Sequence, residues 1–133
     1  MTPERTAIVT GAGKRVGAAM AAALVADGWA VLAHVHHQDD QVPPGASRVV
    51  ADLSEADCAE RIFGAAEALP PVRLLVNNAA RFAWDGFGEF DAEEFDAHMA
   101  VNVRAAALLI DQMARRHRDG EALVVNLLDS KLS

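Results

Sequence analysis

The stretch Thr10-Gly11-Ala12-Gly13-Lys14-Arg15-Val16-Gly17 concentrates the residue types that could hold an anion. It follows the apolar run Ala7–Thr10 and leads into Val16, Met20, Ala23 and Leu24, which fall at i, i+4, i+7 and i+8, one face of a helix. The pattern predicts a strand, a tight glycine turn and a helix start. A helix beginning there aims unpaired N–H groups and the positive end of its dipole at the turn, which suits a phosphate. The spacing is not G-x-G-x-x-G, because Val16 stands at its last position. It is Thr-Gly-x-x-x-Arg-x-Gly, carried by Gly11, Arg15 and Gly17, with Lys14 and Val16 completing the candidate contacts. A plain strand-to-helix connection is the alternative for this stretch taken alone.

Other polar residues stand where apolar runs end. An NAD-preferring site carries an acid at the end of the second strand, for the ribose 2′-hydroxyl. Here Val35 takes that place, followed by His36 and His37. Without a carboxylate to repel a 2′-phosphate, and with two imidazoles able to donate to one, the expected cofactor is NADP(H). Asp39 and Asp40 act against that preference. His34 and His36 share one face of a strand, but no thiolate or third ligand converges on them, so no metal site is expected.

These residues need a frame that brings strand ends together. Strand and helix signals alternate along the chain, the mark of βαβ units and a parallel sheet. Strands are predicted at Ala7–Thr10, Ala30–Val35, Arg48–Ala51, Leu74–Val76 and Leu123–Leu128. The first helix is expected from Arg15 to Asp27, stopped by Gly28. A second follows a capping box at Ser54-Glu55-Ala56-Asp57 and runs along Cys58, Ile62, Ala65 and Leu69 to the stop at Pro70-Pro71. A long helix opens at Asp91 and ends at Asp119-Gly120, with an apolar stripe of Phe95, Met99, Asn102, Ala106, Leu109 and Met113. Right-handed crossovers then give a doubly wound parallel sheet of Rossmann type, order 3-2-1-4-5, with the ligand crevice between strands 1 and 4. Residues 1–133 are expected to form a single domain.

Together these motifs resemble the short-chain dehydrogenase/reductase family, and the Arg15 variant of the turn resembles its pteridine reductase branch. The resemblance implies that Asp52-Leu53 meets the adenine. It also implies that Asn77-Asn78-Ala79-Ala80 is the counterpart of Asn-Asn-Ala-Gly, with Asn78, Ala79 and Ala80 beside the cofactor. Phe82 would stack on a flat substrate, a sensible use of an aromatic platform. Asn102 would hold a water serving the catalytic lysine, and Asp129 would replace the family serine as a catalytic acid, with the neighbouring Ser130 a rival for the serine role. The implied reaction is hydride transfer to a carbonyl or C=N group, a pteridine or dihydrofolate among the candidates. Family members pair through helices, so a homo-oligomer is expected of the full-length form.

The family's Tyr-x-x-x-Lys helix and later strands have no counterpart here, and the chain contains no tyrosine. The expectation is an N-terminal portion that binds cofactor but is inactive alone. Two alternatives stay open, a non-catalytic NADP(H)-binding module and a purely structural partner. Formal net charge is −7, which argues against nucleic-acid and anionic-membrane partners. Hydrophobic residues make up 52% of the chain, enough for a core, and no apolar run reaches the ~18 residues of a membrane span. With the lone Cys58 and no signal-peptide pattern, a cytoplasmic location is expected.

Overall fold

A computed structural model describes residues 2–81, 88 and 90–127. Five strands form one parallel sheet: β1 (Thr6–Val9), β2 (Ala30–Val35), β3 (Ser47–Val50), β4 (Val72–Asn77) and β5 (Leu123–Asn126). Their order is β3-β2-β1-β4-β5, the doubly wound arrangement expected from the alternating pattern. Helices α1 (Arg15–Ala26), α2 (Cys58–Ala66), α3 (Ala92–Met99) and α4 (Ala105–Arg116) connect the strands.

Alternation along the strands divides the core in two. Ile8, Leu32 and Leu75 point to one face, where Ile62 and Phe63 of α2 and Leu109 and Met113 of α4 cover them. Val9, Val31, Ala33 and Val76 point to the other and meet Met20, Ala21, Leu24 and Val25 of α1. Strands buried on both faces read as continuous apolar runs, which is why these strands are easy to see in the sequence. Thr6 is fully buried, and its hydroxyl donates to the Pro70 carbonyl, 2.6 Å away, tying β1 to the entry of β4.

Three local expectations are corrected. The inward face of α1 is centred on Gly17 and Ala21, and Val16 is 58% exposed with Ala23 on the outer side. The glycine turn rather than the apolar stripe sets this rotation, because Gly17 must lie against β1. The capping box does not form: the Ser54 hydroxyl and N–H both donate to Asp52 Oδ1, and α2 starts at Cys58 without a side-chain cap. An Asx-type turn has taken the serine.

The predicted long helix is broken in phase. A π segment, Ala100–Arg104, separates α3 from α4. Its wider turn inserts an extra residue, so the buried positions run Ala100, Ala105, Leu109, Met113, with a five-residue first step. Phe95, Met99 and Asn102 are thereby turned outward, and Asn102 does not lie on a buried stripe.

Candidate functional site

The C-terminal ends of β1 and β4 meet through a small hydrogen-bond knot. Thr10, 2% exposed, accepts at Oγ1 from the N–H groups of Asn78 (3.0 Å) and Ala79 (2.9 Å). The Asn78 amide nitrogen donates to the carbonyls of Thr10 and Gly11, both at 3.1 Å. The side chain of Asn78 is therefore spent on joining the two turns, and it builds the groove from behind.

Two glycines make that junction possible. Gly11 has φ +61°, a left-handed conformation that costs a side chain about 1 kcal/mol or more. A Cβ there would also lie 2.9 Å from Ala79 Cα. At Gly17 a Cβ would run into the Gly11 carbonyl oxygen and Asn78 Nδ2, and would sit 2.9 Å from the Gly11 carbonyl carbon. The first turn of α1 can rest on the β1 turn only because position 17 has no side chain.

The α1 terminus is left open toward the groove. Lys14 is its N-cap residue, extended and with no side-chain cap, and no acidic residue stands in the first turn. Arg15 follows with φ +50°, the only non-glycine residue among those described with positive φ. Such an end offers backbone donors and the positive end of the helix dipole. The groove in front of it measures about 840 Å³. Gly11, Lys14, Arg15, Val16 and Gly17 line one side; His34, His36, Asp52 and Leu53 line the wall at the ends of β2 and β3; Asn78, Ala79 and Ala80 close it from β4. His37 is the one nominated groove residue that does not line it, and its N–H is held by the Asp40 carboxylate at 2.9 Å.

Charge in the groove is unevenly committed. Arg81 is clamped by Glu94 through two bonds of 2.9 and 3.0 Å, so its cation is already neutralised. Among the described residues neither Lys14 nor Arg15 takes part in an ion pair. Asp52 keeps its carboxyl below the usual carboxylate range, because the Ser54 hydroxyl and then the Ser54 N–H donate to it. Both bonds go to Oδ1.

Asn102 stands apart from the groove lining. Its Oδ1 accepts from the Arg81 N–H at 2.7 Å and its Nδ2 donates to the Arg81 carbonyl at 3.0 Å, a two-bond clasp on the segment leaving β4. Phe82 and Asp129, nominated from the sequence, lie outside the described residues. No group of three or more metal-ligating side chains occurs among the described residues. No helix among them is long and apolar enough to cross a membrane.

Two residues of the site went unnominated. Thr10 was visible as part of the glycine motif, but its role as acceptor for two β4-turn amides depends on strand pairing across 68 residues. His34 was visible only as a metal alternative. In the fold it is buried within β2 and bonded at both ring nitrogens, to Gly11 and to Ala51.

A groove with an uncapped helix end, a glycine cradle that any Cβ would fill and two uncommitted cations has the donor set a dinucleotide pyrophosphate requires. Known proteins share the frame. L-xylulose reductase of Bos taurus is 35% identical over 130 residues, covering 92% of this chain and 52% of its own. FolM alternative dihydrofolate reductase 1 from Brucella canis, solved in complex with NADP, superposes with a TM-score of 0.84 at 30% identity, over 97% of this chain and 57% of that one. A blue fluorescent protein from a metagenomic library, solved with NADPH, gives a TM-score of 0.82 at 25% identity, over 93% and 55%. The chain spans about half the length of the relatives it matches. The family profile described as short chain dehydrogenase matches residues 5–128. The chain belongs to the short-chain dehydrogenase family.

Proposed function

We propose that this chain is the NADP(H)-binding part of a short-chain reductase that delivers hydride to a carbonyl or C=N group. The observation that carries the proposal is the contact of Gly17 with Gly11 and Asn78, which sets an open helix end against a groove. In this reading the amides of the Lys14–Gly17 turn, with the Lys14 and Arg15 side chains, hold the pyrophosphate. His36 faces the 2′-phosphate, with His37 behind it, and Asp52 with Leu53 borders the adenine. Ala79 and Ala80 leave room for the nicotinamide ribose. When bound, the nicotinamide would supply the hydride.

Asn102 fixes Arg81 by two bonds at the end of the segment leaving β4, and Phe82 is the aromatic platform offered to a planar substrate. Asp129 is the acid offered for proton delivery. The tyrosine of the family has no counterpart in this sequence, so the 133 residues alone are expected to bind cofactor without turnover. The likeness to FolM supports a pteridine or dihydrofolate substrate. The sequence likeness to L-xylulose reductase favours a second reading, a sugar carbonyl. Phe95, Met99 and Val103 are exposed along α3 and the π segment, and we assign self-association of the full-length form to that surface.

Titrating the chain with NADPH and following nicotinamide fluorescence tests the central claim. Saturable binding, tighter for NADPH than for NADH, is expected. No binding of either would overturn it. Adding dihydrofolate or L-xylulose to the loaded chain should leave the 340 nm absorbance constant, and oxidation with either would refute the assignment of inactivity while identifying the substrate.

A further inference from the structure

His34 is buried at 2% exposure in the middle of the sheet, where an imidazole has no packing advantage over the Leu and Val around it. Its ring spans three segments. Nδ1 accepts from the Gly11 N–H at 3.0 Å, and Nε2 lies 2.8 Å from the Ala51 carbonyl oxygen. Only one form of the ring satisfies both partners, the neutral tautomer carrying its proton on Nε2. Burial holds the His34 pKa below the ordinary imidazole value and so favours the neutral ring, against the opposing pull of the Ala51 carbonyl.

The two partners matter by position. Gly11 is the left-handed residue on which α1 rests, and Ala51 immediately precedes Asp52 and Leu53 on the opposite wall of the groove. We propose that His34 is a positioning residue for the cofactor groove, a strut that sets the separation between the glycine turn and the Asp52 wall. The inference rests on the NADP(H) reading and adds to it a residue that borders the groove but commits both ring nitrogens to backbone partners.

Removing the ring would leave the Gly11 amide and the Ala51 carbonyl without their side-chain partner and unlink the two walls. Substitutions separate the two links. His34→Asn keeps an acceptor near the Nδ1 position and serves Gly11 alone. His34→Gln keeps a donor near the Nε2 position and serves Ala51 alone. His34→Leu serves neither.

The test measures the NADPH Kd of the wild-type chain and the three variants, with thermal unfolding in parallel. Each of His34→Asn and His34→Gln should weaken NADPH binding about 5- to 20-fold, and His34→Leu should weaken it further than either. A residue that merely fills the core would lower the unfolding temperature and leave the Kd of the folded protein unchanged, and that result overturns the strut. If the wild type binds no NADPH, the functional reading fails and takes this one with it. If the wild type binds and the folded variants match it, only the strut fails.

Should the variants not fold, ¹⁵N spectra of the wild-type imidazole decide. A pyridine-like Nδ1 and a pyrrole-like Nε2, both shifting on NADPH saturation, support the strut. The opposite tautomer, or ring signals that NADPH leaves unmoved, overturns it.

Discussion

Replacing Gly17 by alanine tests the physical core of the site with one methyl group. The added carbon would collide with the Gly11 carbonyl and with Asn78 Nδ2, backbone and a committed amide rather than the free end of a side chain. Forcing a methyl into such a place costs about 1–3 kcal/mol of strain. The structure can relieve it by moving the first turn of α1 away from β1 or by displacing Asn78. Displacement breaks the two bonds of its Nδ2 to Thr10 and Gly11, at about 1 kcal/mol each. Stability should therefore fall by roughly 2–4 kcal/mol, read as a lower urea midpoint with unchanged slope.

If instead α1 retreats, the loss appears in binding. One or two amide bonds to a charged phosphate, about 1.5 kcal/mol each, correspond to roughly 10- to 100-fold in NADPH Kd. Gly64→Ala is the control. It lies inside α2 with open space around its Cβ position, and should be neutral or stabilising by up to about 1 kcal/mol. A Gly17→Ala chain as stable as wild type that binds NADPH within twofold would refute the glycine-cradle reasoning.

Thr10→Val keeps the shape of the side chain but strips the acceptor from the Asn78 and Ala79 amides, so unfolding free energy should drop by about 2–4 kcal/mol in urea titrations; a change under about 0.5 kcal/mol would refute it. His34 supplies a pH dependence. Its folded pKa is lowered below the unfolded value of 6.5, so its contribution is fully present above pH 6.5 and is lost as pH falls toward the folded pKa. The slope attributable to it reaches at most about 1.4 kcal/mol per pH unit in that window, and His34→Gln should remove it. The charged groups acting on the ring are His36, which lowers its pKa, and Asp40 and Asp52, which raise it; a wild-type slope retained in His34→Gln would refute the assignment to His34. Val103→Glu, placed on the 51% exposed Val103 of the π segment, should lower the sedimentation-derived mass if the surface along α3 and that segment mediates pairing, and an unchanged assembly would remove that surface from consideration.

The amino-acid sequence was sufficient for the strands and their order, though not for every local pattern: Ser54 bonds Asp52 two residues away instead of capping α2. Apolar runs betray the five strands, most plainly β1 and β2, which are buried on both faces, and the glycine turn betrays the end of β1. Their alternation with helices leaves little choice but a parallel sheet of order 3-2-1-4-5. The groove residues from Gly11 to Gly17, and those at Asp52 and Asn78, were legible because each sits directly after a strand, where such a sheet places its ligands.

Tertiary structure decided what depends on distant partners. The rotation of α1 was one such matter, because Gly17 packs against Gly11 and Asn78 and so turns Val16 outward. The π segment moved Asn102 off the buried stripe, since a helix phase is set by what it packs against. Thr10 and His34 show the limit most clearly. Their roles arise only when strands 68 and 17 residues distant in sequence come within hydrogen-bond range, and no local periodicity records the partner of a buried polar side chain.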